Sequence, residues 1–104
     1  MKPVTIIAPA DTELRKETTW YRDRDPRVAA EFTAEVRRAL KLIEEFPQLG
    51  SRVFGVDDPL IRSFPVHAFP YRVVFLNLPD RTEVIAFAHK RRRPGYFLRR
   101  VNRS

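Results

Sequence analysis

At 104 residues, 43% of them hydrophobic and eight of them Phe, the chain has the material for one domain, residues 1–104, that buries roughly two thirds of its unfolded surface. The absence of cysteine excludes disulfides and thiolate chemistry, the isolated His67 and His89 make a metal or other cofactor unexpected, and no apolar run suits a membrane span or secretory signal, which points to the cytoplasm. The net charge of +7 is gathered at one end: residues 89–104 hold seven of the twenty Lys and Arg and none of the thirteen acids, leaving thirteen bases against thirteen acids elsewhere.

In chain order, the β-branched run Val4 to Ala8 predicts a first strand stopped by Pro9. Asp11 or Thr12 then caps a weakly amphipathic helix to about Tyr21, with Ala10, Leu14, Glu17 and Tyr21 on one stripe. Asp25 followed by Pro26 opens a second helix whose apolar residues Ala29, Phe32, Val36, Ala39, Leu40, Ile43 and Phe46 recur at three and four until Pro47 ends it. The short link makes the helices an antiparallel hairpin. From about Val53 the pattern alternates instead. Leu60, Arg62, Phe64 and Val66 share one strand face; Tyr71, Val73, Phe75 and Asn77 share a face of the next, opposite Arg72, Val74, Leu76 and Leu78. Pro79 and Asp80 turn the chain into a strand over Glu83 to His89, with His89 in phase with Ile85 and Phe87. The expected fold class is α+β: an N-terminal strand, a two-helix hairpin and a three-stranded antiparallel meander, with the helices on one face of a four-stranded sheet and the other face solvated or functional.

The basic end interleaves Tyr96 and Phe97 with arginine, a composition suited to a phosphate backbone or an acidic protein surface. Each singled-out residue also has a plain structural reading. A basic terminus is often only solvated, His89 ends an apolar strand as a core histidine does, Phe97 suits packing of the tail onto the sheet, and Trp20 and Tyr21 suit packing of the hairpin.

Four pieces in order, DPRVAAEFTAEVRRALKLIEEFP, PQLGSRV, IRSFPVHAFPYRVVF and VIAFAHKRRRPGYF, give nearly the whole chain a resemblance to the RelE/ParE-type toxins of bacterial toxin–antitoxin pairs. The resemblance implies a cognate acidic antitoxin as partner. Phe32 and Val36 on the second helix, with Arg99, Arg100 and Arg103, are its expected contacts. One branch resembles RelE, a metal-independent nuclease acting on mRNA in the ribosome, in which a 2′-hydroxyl attacks the adjacent phosphate. Its sheet arginine matches Arg72, its arginine after the last strand matches Arg91, and its proton-bearing aromatic matches Tyr96 with a one-residue slip, or Phe97 without one. Ser63 and Pro65 stand where that branch has lysines, so the catalytic set is depleted. The other branch resembles ParE, whose members poison DNA gyrase and are not known as enzymes. His89, Arg91, Arg92, Pro94, Tyr96 and Phe97 follow its pattern more closely, although Arg93 stands where that branch often has an acid. Together with Lys90, this run is the expected target-binding segment. The favoured expectation is therefore a ParE-like gyrase inhibitor. The alternatives are a RelE-like mRNA nuclease and a degenerate member that only binds its antitoxin.

Overall fold

The computed structural model describes residues 2–101, beginning with a short strand, β1 (Val4–Ile6), from which Ile7 leads directly into helix α1 (Ala8–Arg24). Pro9 does not stop the strand as expected; it lies in the first helical turn, where a missing N–H leaves no hydrogen bond unmade. The helix therefore begins before Asp11, which caps nothing and instead adds negative charge to the first turn, and it runs past Tyr21 to Arg24. Asp25 alone separates α1 from α2 (Pro26–Glu45). It closes the first helix through its backbone and opens the second by accepting a 3.0 Å hydrogen bond from the Arg27 amide.

Helix α2 buries the expected stripe of Ala29, Phe32, Val36, Ala39 and Ile43. Phe46, expected on that stripe, is instead the capping residue and is 46% exposed, since the helical path ends before it and Pro47–Leu49 turns as a 3-10 segment. Gly50 then lets the chain pass against the sheet. Strand β2 (Ser51–Arg52) pairs antiparallel with β3 (Ile61–Pro65), which pairs with β4 (Tyr71–Asn77), which pairs with β5 (Thr82–His89); β1 adds to β5 in parallel. The sheet thus has five strands in the order β1-β5-β4-β3-β2, one more than expected, because the two-residue β2 is too short for an alternation to reveal it.

The helices pack on one face, where Phe32, Val36 and Ile43 meet Tyr71, Val73, Phe75, Val84 and Phe87. A bulge between β4 and β5 changes the phase of the last strand: Val74 pairs with Ala86 and Phe75 with Val84, which leaves Ile85 as the extra residue. Ile85 consequently joins Ala86, Val74 and Leu76 in a second cluster, while Phe87 stays with the helices. The simple alternation that grouped Ile85 with Phe87 fails for that reason. The second sheet face is not open either. The chain after β5 folds back across it, turns at Gly95 (φ +77°), and seats Phe97, 3% exposed, among the residues of the second cluster before a 3-10 turn at Leu98–Arg100.

Gly50 is a tight point, since a Cβ there would lie 2.5 Å from Phe75 Cζ and 2.9 Å from Arg62 Cβ. Gly50→Ala is expected to cost about 1–3 kcal/mol by overpacking and to shift the NMR resonances of Phe75 and Arg62. Gly55→Ala meets nothing within 4 Å but must hold φ +78°; it should cost roughly 1–2 kcal/mol and disturb its own loop alone. Urea unfolding and a ¹³C-¹H spectrum of each variant check both expectations.

Candidate functional site

Strand β1 is three residues long and β5 is eight, so β1 runs out before β5 does. Along the shared part, Thr82 N–H donates to Pro3 O (2.9 Å) and Ile7 N–H donates to Val84 O (3.1 Å). From the bulge onward it is Ile85 C=O and Phe87 N–H that turn to this edge, and no strand remains to receive them. Two side chains take its place. Glu13 on α1 accepts from Phe87 N–H (3.1 Å), and Arg100 donates to Ile85 O (2.9 Å). Arg100 also donates to both Glu13 oxygens, at 2.8 and 3.2 Å, and the Tyr96 hydroxyl donates to Glu13 at 2.6 Å. Backbone groups at a sheet edge must be paired or hydrated, so one carboxylate joins α1, β5 and the C-terminal segment. Both ionic partners are more than four-fifths covered, with side-chain exposures of 18% for Arg100 and 17% for Glu13.

The titrations follow from this arrangement. Burial pushes the Tyr96 phenol up, and its hydrogen bond to Glu13 and that carboxylate's charge push it further, against smaller opposing effects of Arg100 and Arg92. Glu13 raises the pKa of Arg100 chiefly by accepting its hydrogen bond, burial opposing it. Nearby, Tyr71 donates to the Glu17 carboxylate, and burial followed by Glu17 raises its pKa as well.

Three clefts surround this segment. The first, about 370 Å³, lies between α1 and the segment and holds Glu13, Glu17, Tyr71, Tyr96 and Arg100. The second, about 450 Å³, lies beside the end of α1 and is lined by Trp20, Tyr21, Tyr71, His89 and Arg91. The third, about 320 Å³, opens on the second sheet face, with Arg72, Ser63, Lys90, Arg92, Arg93 and Phe54 around it.

This layout separates residues that the sequence grouped. Arg72 is on the second sheet face, where its Nε donates to Ser63 Oγ at 2.8 Å and its Nη2 to Ser63 O at 3.4 Å. Arg91 lines the cleft beside Trp20, and the Tyr96 hydroxyl is committed to Glu13. Tyr96 thus lines both the first cleft and, with Arg72, the third, but its hydroxyl is taken by Glu13 and Arg91 lines the second. The three groups expected to act together in a nuclease are therefore not gathered in one cleft. His89 stays half-buried at the strand end, its ring edge-on to Tyr71 at 5.0 Å and its Nδ1 accepting the Arg91 amide at 3.0 Å, which agrees with the structural reading. Lys90, Arg91, Arg92 and Arg93 are exposed, with Arg92 stacked 4.0 Å from the Tyr96 ring centroid.

Other assignments need correction. Phe32 (1% exposed) and Val36 (3%) are filled by the core, because the apolar stripe of α2 faces the sheet, so neither offers surface to an antitoxin. Arg100 is tied inside the protein by Glu13, whereas Arg99 is exposed; Arg103 lies outside the described residues. Phe97 is packing, not contact surface, in this conformation. Tyr21 packs as expected, 5.0 Å from Phe32 and 5.3 Å from Phe69, but Trp20 is 47% exposed under Arg24. Sequence reasoning missed Glu13 entirely. Its signal was present, since positions 10, 13, 14, 17 and 21 form one helical stripe and two acids on it demand partners. Among the described residues no group of three His, Cys, Asp or Glu gathers to hold a metal ion.

A phenol whose folded pKa lies above the ordinary value of about 10 keeps its proton after the unfolded chain has lost its own. The unfolded state then binds fewer protons, and stability falls as the pH rises above that value. Tyr96→Phe removes one such contribution, so its unfolding free energy should decline less steeply than that of the parent between about pH 10 and 12. Equal slopes in urea titrations would mean that neither burial nor Glu13 raises the phenol.

The family model for the ParE toxin of type II toxin–antitoxin systems, parDE, matches residues 4–94. Among curated proteins, none matches this chain. Among solved structures, the chromosomal ParDE toxin–antitoxin system from P. aeruginosa superposes with a TM-score of 0.71 at 13% identity, covering 86% of this chain and 96% of that one. At that identity the likeness concerns the fold, which is the α+β arrangement of a strand, a helical hairpin and an antiparallel sheet. With the family model spanning nearly the whole chain, this protein belongs to the ParE toxins of type II toxin–antitoxin systems.

Proposed function

We propose that this ParE-family toxin acts on DNA gyrase as a binding inhibitor and is held inactive in the cytoplasm by a cognate acidic antitoxin. Family membership supports the toxin class and the antitoxin partner. The observation that carries the choice between targets is that Arg91 lines a cleft apart from Arg72, while the hydroxyl of Tyr96, which lines the Arg72 cleft too, is committed to Glu13. Metal-free RNA cleavage needs charge-stabilising and proton-moving groups converging within hydrogen-bond reach of one phosphate. Here the hydroxyl that would move a proton is held by a carboxylate, and burial keeps it protonated.

What the fold offers instead is a presented surface. Lys90 to Arg93 form an exposed cationic turn, and none of the four is ion-paired among the described residues. The Phe97 anchor and the Glu13–Arg100 pair fix that turn relative to the sheet, so little ordering entropy is lost when a partner docks. Net positive charge at one end also speeds encounter with an acidic antitoxin, an effect that salt weakens.

Purified chain added to gyrase should lower supercoiling or trap gyrase on cleaved DNA. Replacing Arg91, Arg92 and Arg93 together with Ser should raise the concentration needed by about tenfold or more, the effect of losing ~1.4 kcal/mol, with circular dichroism unchanged. Supercoiling untouched by a large molar excess of folded chain would contradict the gyrase reading. Codon-phased cuts in a programmed translation extract, abolished by Arg72→Ala, would support a nuclease in its place.

A further inference from the structure

The groove on the second sheet face gathers four basic side chains. Arg72, Lys90, Arg92, Arg93 and Phe54 line it, and no Asp or Glu does. The acids of this region, Glu13 and Glu17, belong to the cleft on the α1 side. Arg72 is held without being neutralised. Its Nε and Nη2 donate to Ser63, Nη1 has no partner among the described residues, and no carboxylate pairs with it. A guanidinium fixed by neutral acceptors and surrounded by further cations is arranged for an anion with several oxygens, such as a phosphodiester.

Phe54 adds a second, independent feature. Its side chain is 93% exposed beside Gly55, at the rim of the same groove. A bare aromatic ring next to a row of cations provides a platform for a base and a track for the backbone that carries it. A duplex offers phosphates and base edges but keeps its base faces stacked inside, so an exposed ring here favours an unpaired strand.

We propose that this groove binds single-stranded nucleic acid without cleaving it, with one phosphate on Arg72, flanking phosphates on Lys90 and Arg93, and a base stacked on Phe54. The absence of cleavage follows from Arg91, which lines another cleft, and from the Tyr96 hydroxyl, which donates to Glu13 although Tyr96 also lines this groove. The groove shares Lys90, Arg92 and Arg93 with the surface proposed for gyrase, but strand binding and supercoiling are read separately, so either reading can fail while the other stands.

Fluorescence anisotropy of the full chain with labelled (dT)12, U12 and a 12-base-pair hairpin provides the test. Both single strands should bind with micromolar affinity at low salt and more tightly than the hairpin. The difference between the (dT)12 and U12 affinities identifies the preferred source, DNA or RNA. Three phosphate contacts predict a log–log salt slope of about −2. Phe54→Ala should weaken single-strand binding about tenfold with that slope unchanged, and Arg93→Gln should reduce the slope by about 0.7. Both residues are exposed, so neither variant threatens the fold; Lys41→Ser, exposed on α2 away from the groove, is the control and should bind within about twofold of the parent. The probe should run at full length on a denaturing gel afterwards. The proposal is overturned if neither strand binds, if the hairpin binds as well as the strands and Phe54→Ala changes nothing, if an acidic polypeptide binds more tightly than either strand, or if the probe is cut.

Discussion

A three-residue strand beside an eight-residue strand leaves a row of backbone groups on β5 without a sheet partner, and the way they are satisfied organises the functional end of the molecule. Glu13 and Arg100 occupy the place of the missing strand. Because Glu13 is on α1 and Arg100 in the chain after β5, filling that place also fixes the C-terminal segment. Removing one partner of such a covered pair leaves an uncompensated charge against the sheet, which is why the arrangement resists local opening. The bulge at Ile85 is part of the same device, since it is after the bulge that Phe87 N–H turns to this edge.

Positive charge in this chain has two separate uses. Arg100 is internal and structural, paired with Glu13 and close to the Tyr96 ring. Lys90 to Arg93 and Arg99 remain outside and available. Burial of Phe97 on the second sheet face contributes roughly 2–3 kcal/mol, which together with the ion pair turns a basic tail into a docked surface with a defined shape. A toxin that acts by binding benefits from that rigidity, whereas the nuclease chemistry of the related branch would need its polar groups free to converge.

Much of the fold was legible in the sequence, because α2 and β4 carry strong local signals: regular apolar spacing with an Asp-Pro start in one, and clean alternation in the other. What was not legible depends on non-local geometry. Ile85 leaves its expected face through a bulge that alternation does not encode, and β2 is too short to show a period. Pro9 reads equally as the end of a strand or the start of a helix, and the choice is made by how Ile7 leaves the sheet. At the site, the basic turn from Lys90 to Arg93 was evident from composition, while the burial of Phe32 and Val36 followed from the apolar stripe of α2, on which antitoxin contacts had nevertheless been expected. The role of Glu13 depends on residues 74 to 87 positions away, and only its place among apolar neighbours on α1 hinted at it.

Amide hydrogen exchange in Glu13→Ala tests the stapling role most directly. Phe87 N–H, which donates to that carboxylate, and the amides of Tyr96, Leu98 and Arg100, which close the turns of the segment, should lose protection by at least tenfold while the amides of β4 within the sheet keep theirs. Protection of the segment unchanged from the parent would show that Phe97 packing alone holds it, and that the Glu13–Arg100 pair is not the constraint on which the functional end depends.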